Sequence, residues 1–112
     1  HGATFGLFCG NEPVGMTTVL REGNQPTSTR AFLVGSYIQE AHRGKGYSRL
    51  FYEARIAWAR GQGDVVCLEV EARDYNTASH RAHQRFGFVF VGEDEEVRPN
   101  GVFRNLIYQL EL

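Results

Sequence analysis

Apolar positions along the chain fall into short runs with two different periods. Residues 3–9 and 13–20 are rich in Phe, Leu, Val and Thr and flank Gly10-Asn11-Glu12, which predicts a β-hairpin. Residues 21–29 are polar and contain Gly and Pro, hence a loop, and 30–38 form a third strand whose run Ala31-Phe32-Leu33-Val34 suits burial on both faces. From Tyr47 the period changes: Tyr47, Leu50, Phe51, Ala54 and Trp58 recur at helical spacing, and Gly61-Gln62-Gly63 stops the helix. Residues 64–72 predict another strand, so strand, helix and strand make a right-handed crossover with two parallel strands. A second helix is expected from about Thr77 to Phe86, with Asn76 as N-cap, Ala78, Ala82 and Phe86 on one face and Gly87 just beyond its end. A strand over 88–92, the acidic run Glu93-Asp94-Glu95-Glu96, the turn Arg98-Pro99-Asn100-Gly101 and a last alternating strand over 102–112 complete an α/β (α+β) chain with a mixed, twisted sheet.

Composition narrows the class. The 112 residues suit one domain over 1–112, and 42% hydrophobic with 22% charged residues is ordinary globular content. With 12 basic and 13 acidic residues the net charge is −1, which gives no global pull toward nucleic acid or a membrane surface, so charged recognition must be local. No apolar run approaches bilayer length and no leader-like segment opens the chain; a cytoplasmic protein without membrane or nucleic-acid partners is expected, with homodimerisation left open. Cys9 and Cys67 sit in strand-like runs without CxxC spacing, so both are expected as buried, reduced thiols and no metal is called for. The chain enters a strand pattern almost directly after His1, as a trimmed piece or fragment would.

The chemistry concentrates at Arg43-Gly44-Lys45-Gly46-Tyr47-Ser48, between the third strand and the first helix. Two glycines there let a ligand approach the backbone, and the N–H groups of the following first turn point outward as anion donors, so the stretch reads as a phosphate cradle or else as a plain tight turn. A dinucleotide fingerprint fails because position 49 is Arg, and a Walker loop fails because position 39 is Gln and Tyr47 stands where a magnesium-binding Ser or Thr belongs.

Gly44-Lys45-Gly46 resembles the acetyl-CoA loop of the GNAT acetyltransferase superfamily, a Gln or Arg, two residues, Gly, one residue and Gly or Ala, with Ala41 departing from the first position. Asn76, Ser79 and Gly87-Phe88 match the superfamily's later motif, and the similarity covers the chain from about Thr4 to Leu112. The resemblance implies a mostly antiparallel sheet with a central parallel pair splayed around the cofactor and helices on both faces. It implies acetyl-CoA as cofactor, with backbone groups near Ile38 on the pantetheine arm and offering an N–H to the oxyanion. The amides of Arg43, Gly44, Lys45, Gly46, Tyr47 and Ser48 would hold the pyrophosphate, with Asn76 and Ser79 completing the cofactor set. It implies N-acetyl transfer to a primary amine of a small molecule or peptide by direct attack in a ternary complex.

Family members commonly place a Tyr as proton donor seven residues after the Asn; His83 stands there in this chain. Glu69 and Glu71 share one strand face and are the candidates for the general base. The acidic run 93–96 borders the side where family members receive the acceptor, which suits a cationic amine. Relative to the superfamily, the usual first strand and two helices are missing from the front, so either this piece lacks that segment or the protein is a minimal variant. A coenzyme A-binding module without catalysis is the alternative, and a structural α/β domain whose glycines only turn the chain is the third.

Overall fold

The computed structural model describes all 112 residues. Six strands form one sheet, mostly antiparallel with one parallel pair, in the order β1 (Gly2–Cys9), β2 (Glu12–Arg21), β3 (Arg30–Ile38), β4 (Cys67–Arg73), β6 (Gly101–Glu111), β5 (Val89–Arg98). Two α-helices, α1 (Ser48–Gln62) and α2 (Thr77–Arg85), join β3 to β4 and β4 to β5. By contact the chain divides into two units, His1–Leu68 with Leu112 and Glu69–Glu111, so β4 begins in the first and continues in the second.

In the first unit β1, β2 and β3 make an antiparallel meander, with Gly2 opposite Leu20 and Leu20 opposite Phe32. α1 packs on these strands and inserts Phe51, Tyr52, Ile56 and Ala59 against Val14, Val19, Ala31 and Leu33, all 9% exposed or less. The buried stripe of α1 is turned relative to the expected one. It contains Arg55, only 4% exposed, while Leu50 is 39% exposed. Arg55 is tolerated because its Nε donates to the Phe51 carbonyl at 3.0 Å and its guanidinium lies 5.3 Å from the Tyr52 ring. Burial pulls the Arg55 pKa down to about 10 and pushes that of Tyr52 up to about 12, and each group's charge opposes the shift of the other.

The helix stops at Gly63, whose φ of 79° is left-handed and whose N–H bonds the Arg60 carbonyl. Asp64, Val65 and Val66, expected in the strand, stay outside β4. The reason is that Asp64 is drawn to the buried Arg21, whose NH1 and NH2 donate to its two carboxylate oxygens at 3.1 and 2.8 Å. Cys67 is buried, but Cys9 is exposed because β1 ends there at the hairpin turn; no disulfide joins them.

In the second unit β5 and β6 form a hairpin from Val89 opposite Gln109 to Arg98 opposite Gly101. The acidic run is therefore strand, not connecting loop, because cations satisfy it in place. Arg104 lies 3.4 Å from Glu93, and Arg73 and Arg98 both bond Glu96. α2 ends at Arg85 with Phe86 as C-cap, and it buries His80 and His83 rather than an alanine face; Ala78 is exposed and Ala82 and Phe86 are half-buried. Val70, Phe88 and Tyr108 complete this unit's core.

Candidate active site

In the first unit the candidate cradle begins where β3 bends. The β2–β3 register shifts between Met16 and Thr18, so that Gly35 and Ser36 of β3 stand opposite the single Thr17, and Thr17 Oγ1 and Ser36 Oγ meet at 2.7 Å across this bulge. Past Ile38 the chain makes one 3-10 turn over Glu40–His42, closed by the His42 N–H to the Gln39 carbonyl at 2.8 Å. Gly44 and Gly46 then take φ values of 74° and 79°, which side chains with a Cβ rarely adopt, and a Cβ added to either would meet nothing within 4 Å. The two glycines therefore turn the chain and keep an open concavity beside it.

No backbone hydrogen bond takes up the N–H groups from Gly44 to Ser48; the next is Leu50 to Tyr47 at 3.0 Å. α1 has no side-chain cap at Tyr47 and no acidic residue in its first turn, so donors and the positive end of the helix dipole remain available together. These features fit a pyrophosphate. Ile38, half-buried, closes β3, and its carbonyl accepts from Arg43 Nε at 2.7 Å while the Arg43 guanidinium lies 5.5 Å from the Tyr37 ring. Arg43 thus ties the loop to the strand end, whereas Lys45 is exposed and forms no ion pair.

In the second unit Asn76 caps α2, accepting the Ser79 N–H at 3.3 Å. His83 is 4% exposed and packs 5.4 Å from the Tyr108 ring and 6.3 Å from that of Phe88. His80 stacks on the same Tyr108 at 5.5 Å, with Nε2 3.3 Å from the Asp74 carbonyl. Tyr108 was not singled out in the sequence, although the alternation of β6 would have marked it as inward-facing.

Glu69 and Glu71 lie on the β4 face that also carries Arg73. Glu69 accepts from Gln109 Nε2 at 2.9 Å. Glu71 is exposed; partial desolvation, then the negative charges of Asp94, Glu69 and Glu96, push its pKa up, with Arg73 opposing. Arg73 is fixed by Asn105 Oδ1 at 2.7 Å and by Glu96, whose own pKa is held down at about 2, first by Arg73 and then by Arg98. No group of three or more His, Cys, Asp or Glu is placed to hold a metal ion, and no helix is long and apolar enough to cross a membrane.

Residues 1–88 match the acetyltransferase (GNAT) family. The chain belongs to that family. Among solved structures, the GNAT acetyltransferase from Streptococcus pneumoniae is similar at 18% identity and a TM-score of 0.85, over 99% of this chain and 67% of the other. The ribosomal-protein-alanine N-acetyltransferase from Brucella melitensis gives 22% identity and 0.84, over 99% of this chain and 69% of the other. The protein yncA from Salmonella typhimurium, solved with its cofactor acetyl-CoA, gives 19% identity and 0.84, over 98% and 64%. This chain thus spans about two thirds of the length of each. At these identities the likeness establishes the fold: a mixed α/β GNAT fold as the glycine and asparagine motifs implied. Comparison with curated proteins finds no match.

Proposed function

We propose that the chain carries the acetyl-CoA site of an N-acetyltransferase that acylates a primary amine by direct attack in a ternary complex. The observation that carries this is the Gly44–Ser48 loop, with its open concavity and its N–H groups left without acceptors at the start of α1. Those amides hold the pyrophosphate, Lys45 adds a screened positive charge, and Arg43 acts mainly by fixing the loop to Ile38. Backbone groups at Ile38, which the Gly35–Ser36 bulge redirects, serve the pantetheine arm and the oxyanion, and Asn76 and Ser79 serve the cofactor from the start of α2.

When bound, acetyl-CoA supplies the acyl carbon as a thioester: the C–S bond breaks, a C–N bond forms, the amine gives up a proton and the sulfur gains one. Of the two β4 carboxylates, Glu71 is the better proton acceptor, because desolvation and the neighbouring carboxylates push its pKa up and Glu69 is engaged with Gln109. His83 holds the returning proton on its imidazole, and its packing against Tyr108 and Phe88 fixes the ring. Direct attack is supported by the placement of the thiols, since Cys67 is buried within β4 and Cys9 lies at the tip of the β1–β2 hairpin.

The test is release of free coenzyme A thiol from acetyl-CoA in the presence of a panel of primary amines. Amine-dependent release is expected, lowered at least about tenfold by Glu71→Gln with acetyl-CoA affinity unchanged. Binding of acetyl-CoA without release for any amine would leave a coenzyme A-binding module; an unaltered rate in the variant would remove Glu71 as the base.

A further inference from the structure

Arg73 pairs with a distant carboxylate and leaves a nearer one alone. Glu71 stands two residues before it on the same face of β4, about 7 Å along the strand. Glu96 lies on β5, with β6 in between, about 10 Å away across the sheet. Arg73 nonetheless reaches over β6 and sets Nη1 and Nη2 on the two carboxylate oxygens of Glu96 at 3.2 and 3.3 Å. We propose that Glu96 and Asn105 are positioning residues for the reaction: they hold the Arg73 guanidinium away from Glu71 and so keep that carboxylate uncommitted for the amine proton. This rests on the reading of Glu71 as the proton acceptor.

Contacts on β5 and β6 direct the guanidinium to Glu96. Asn105, only 4% exposed, accepts from Nη1 through Oδ1 at 2.7 Å and donates from Nδ2 to Glu96 Oε1 at 3.3 Å, so it bridges the two partners. The Phe103 ring, opposite Glu96 in the hairpin register, lies 4.5 Å from the guanidinium carbon. Arg98 Nε also donates to Glu96, which fixes the carboxylate that Arg73 meets. The two-pronged pairing sets the plane of the guanidinium as well as its position. Its hydrogen bonds to Glu96, more than anything else, push the Arg73 pKa up, with Tyr75 adding to them and desolvation opposing.

The charges that act on Glu71 are Asp94, Glu69 and Glu96, all negative, and Arg73, the one cation among them. Glu69 is engaged with Gln109 at 2.9 Å, whereas Glu71 has no hydrogen bond or ion pair of its own. An arginine turned onto Glu71 would stabilise its ionised form and make it a weaker base. The network also ties β4, β5 and β6 together, but that structural role alone is indifferent to Glu71. The two roles therefore part in the titration of Glu71.

The experiment follows the Glu71 side-chain carboxyl of the full protein by carbon NMR against pH, with its resonance assigned by its loss in Glu71→Gln. Wild type is compared with Glu96→Gln, Arg73→Gln and the double variant. Glu96→Gln keeps the shape and withdraws the charge, so Arg73 turns to Glu71, whose titration is expected about one pH unit lower. Loss of the Glu96 charge acts in the same direction by itself, so the decisive comparison is Arg73→Gln in the two backgrounds. With Glu96 present it should raise the Glu71 titration only slightly; with Gln at 96 it should raise it by about one pH unit. Thiol release from acetyl-CoA, with one primary amine throughout, should show the acid limb of kcat moving with the Glu71 titration, since a base works only once it has lost its proton. Acetyl-CoA affinity should be the same in all forms. An equal effect of Arg73→Gln in both backgrounds, or a Glu71 titration indifferent to Glu96→Gln, would overturn the proposal. Coupled titrations with an unmoved kcat profile would keep Arg73 held off by Glu96 and remove Glu71 as the base.

Discussion

Glu71 on β4 and Glu96 on β5, two strands separated by β6, are displaced in opposite directions, which makes them the sharpest tests at the scale of single residues. Glu96 accepts from Arg73, Arg98 and Asn105, and its pKa falls from 4.5 to about 2. Its folded-state pKa is depressed, so the stability it contributes is present above 4.5 and is lost as pH falls toward 2. Glu96→Gln should therefore flatten the acid side of the stability profile in that window, as followed by thermal unfolding against pH. Glu71 has the opposite sign. Its raised pKa means that its ionised form is disfavoured in the folded chain, so stability is lost as pH rises through the folded pKa. Glu71→Gln should raise the unfolding temperature at about pH 7 and leave it unchanged in acid below the ordinary carboxylate range. An unfolding temperature that falls at neutral pH would show that Glu71 is stabilising where it stands.

The same pair shows where the sequence is mute. Alternation along β4 placed Glu69 and Glu71 on one face, but only the register of the β5–β6 hairpin brings Glu96 opposite Phe103, and Asp94 opposite Asn105. Those partners are more than twenty residues away in the chain, and their charges add to the desolvation that pushes Glu71 up.

At the scale of elements, the cradle joins β3 to α1, and its glycines do two separable jobs. Asn tolerates left-handed backbone better than other residues do, so Gly46→Asn preserves the turn while placing a side chain in the open concavity. Weakened acetyl-CoA binding, by at least about tenfold, is expected without loss of the folded state, whereas Gly46→Val adds backbone strain of about 1–2 kcal/mol. Retained affinity in Gly46→Asn would place the pyrophosphate elsewhere. At α2, Asn76→Ala removes the bond to the Ser79 N–H and should cost about 1 kcal/mol in chemical denaturation.

Helices and strands were legible where local periodicity decides, as in the β1–β2 hairpin, β3 and the extent of α1. They were less legible where side chains of mixed character are buried. The stripe of α1 includes Arg55, counted as polar in any pattern, yet its stem and stacked guanidinium sit inside. α2 is anchored by two histidines on the Tyr108 ring, while the expected alanine face is partly open. β5 runs through four consecutive acidic residues because arginines from β4, β5 and β6 pair with Glu93 and Glu96, a compensation invisible in the run itself.

For the whole molecule, family and fold follow from two short motifs and the order of elements, and both hold over most of the chain. The acceptor does not follow from those motifs, because they specify how a cofactor is held and the chain spans only about two thirds of its solved relatives. The central claim remains that the Gly44–Ser48 amides form a coenzyme A site, and titration of the full protein with coenzyme A, followed by backbone amide NMR, tests it directly. Saturable shifts at Gly44, Lys45, Gly46, Tyr47 and Ser48 are the predicted result. Saturable binding that leaves those five amides unmoved, or no binding at all, would contradict it.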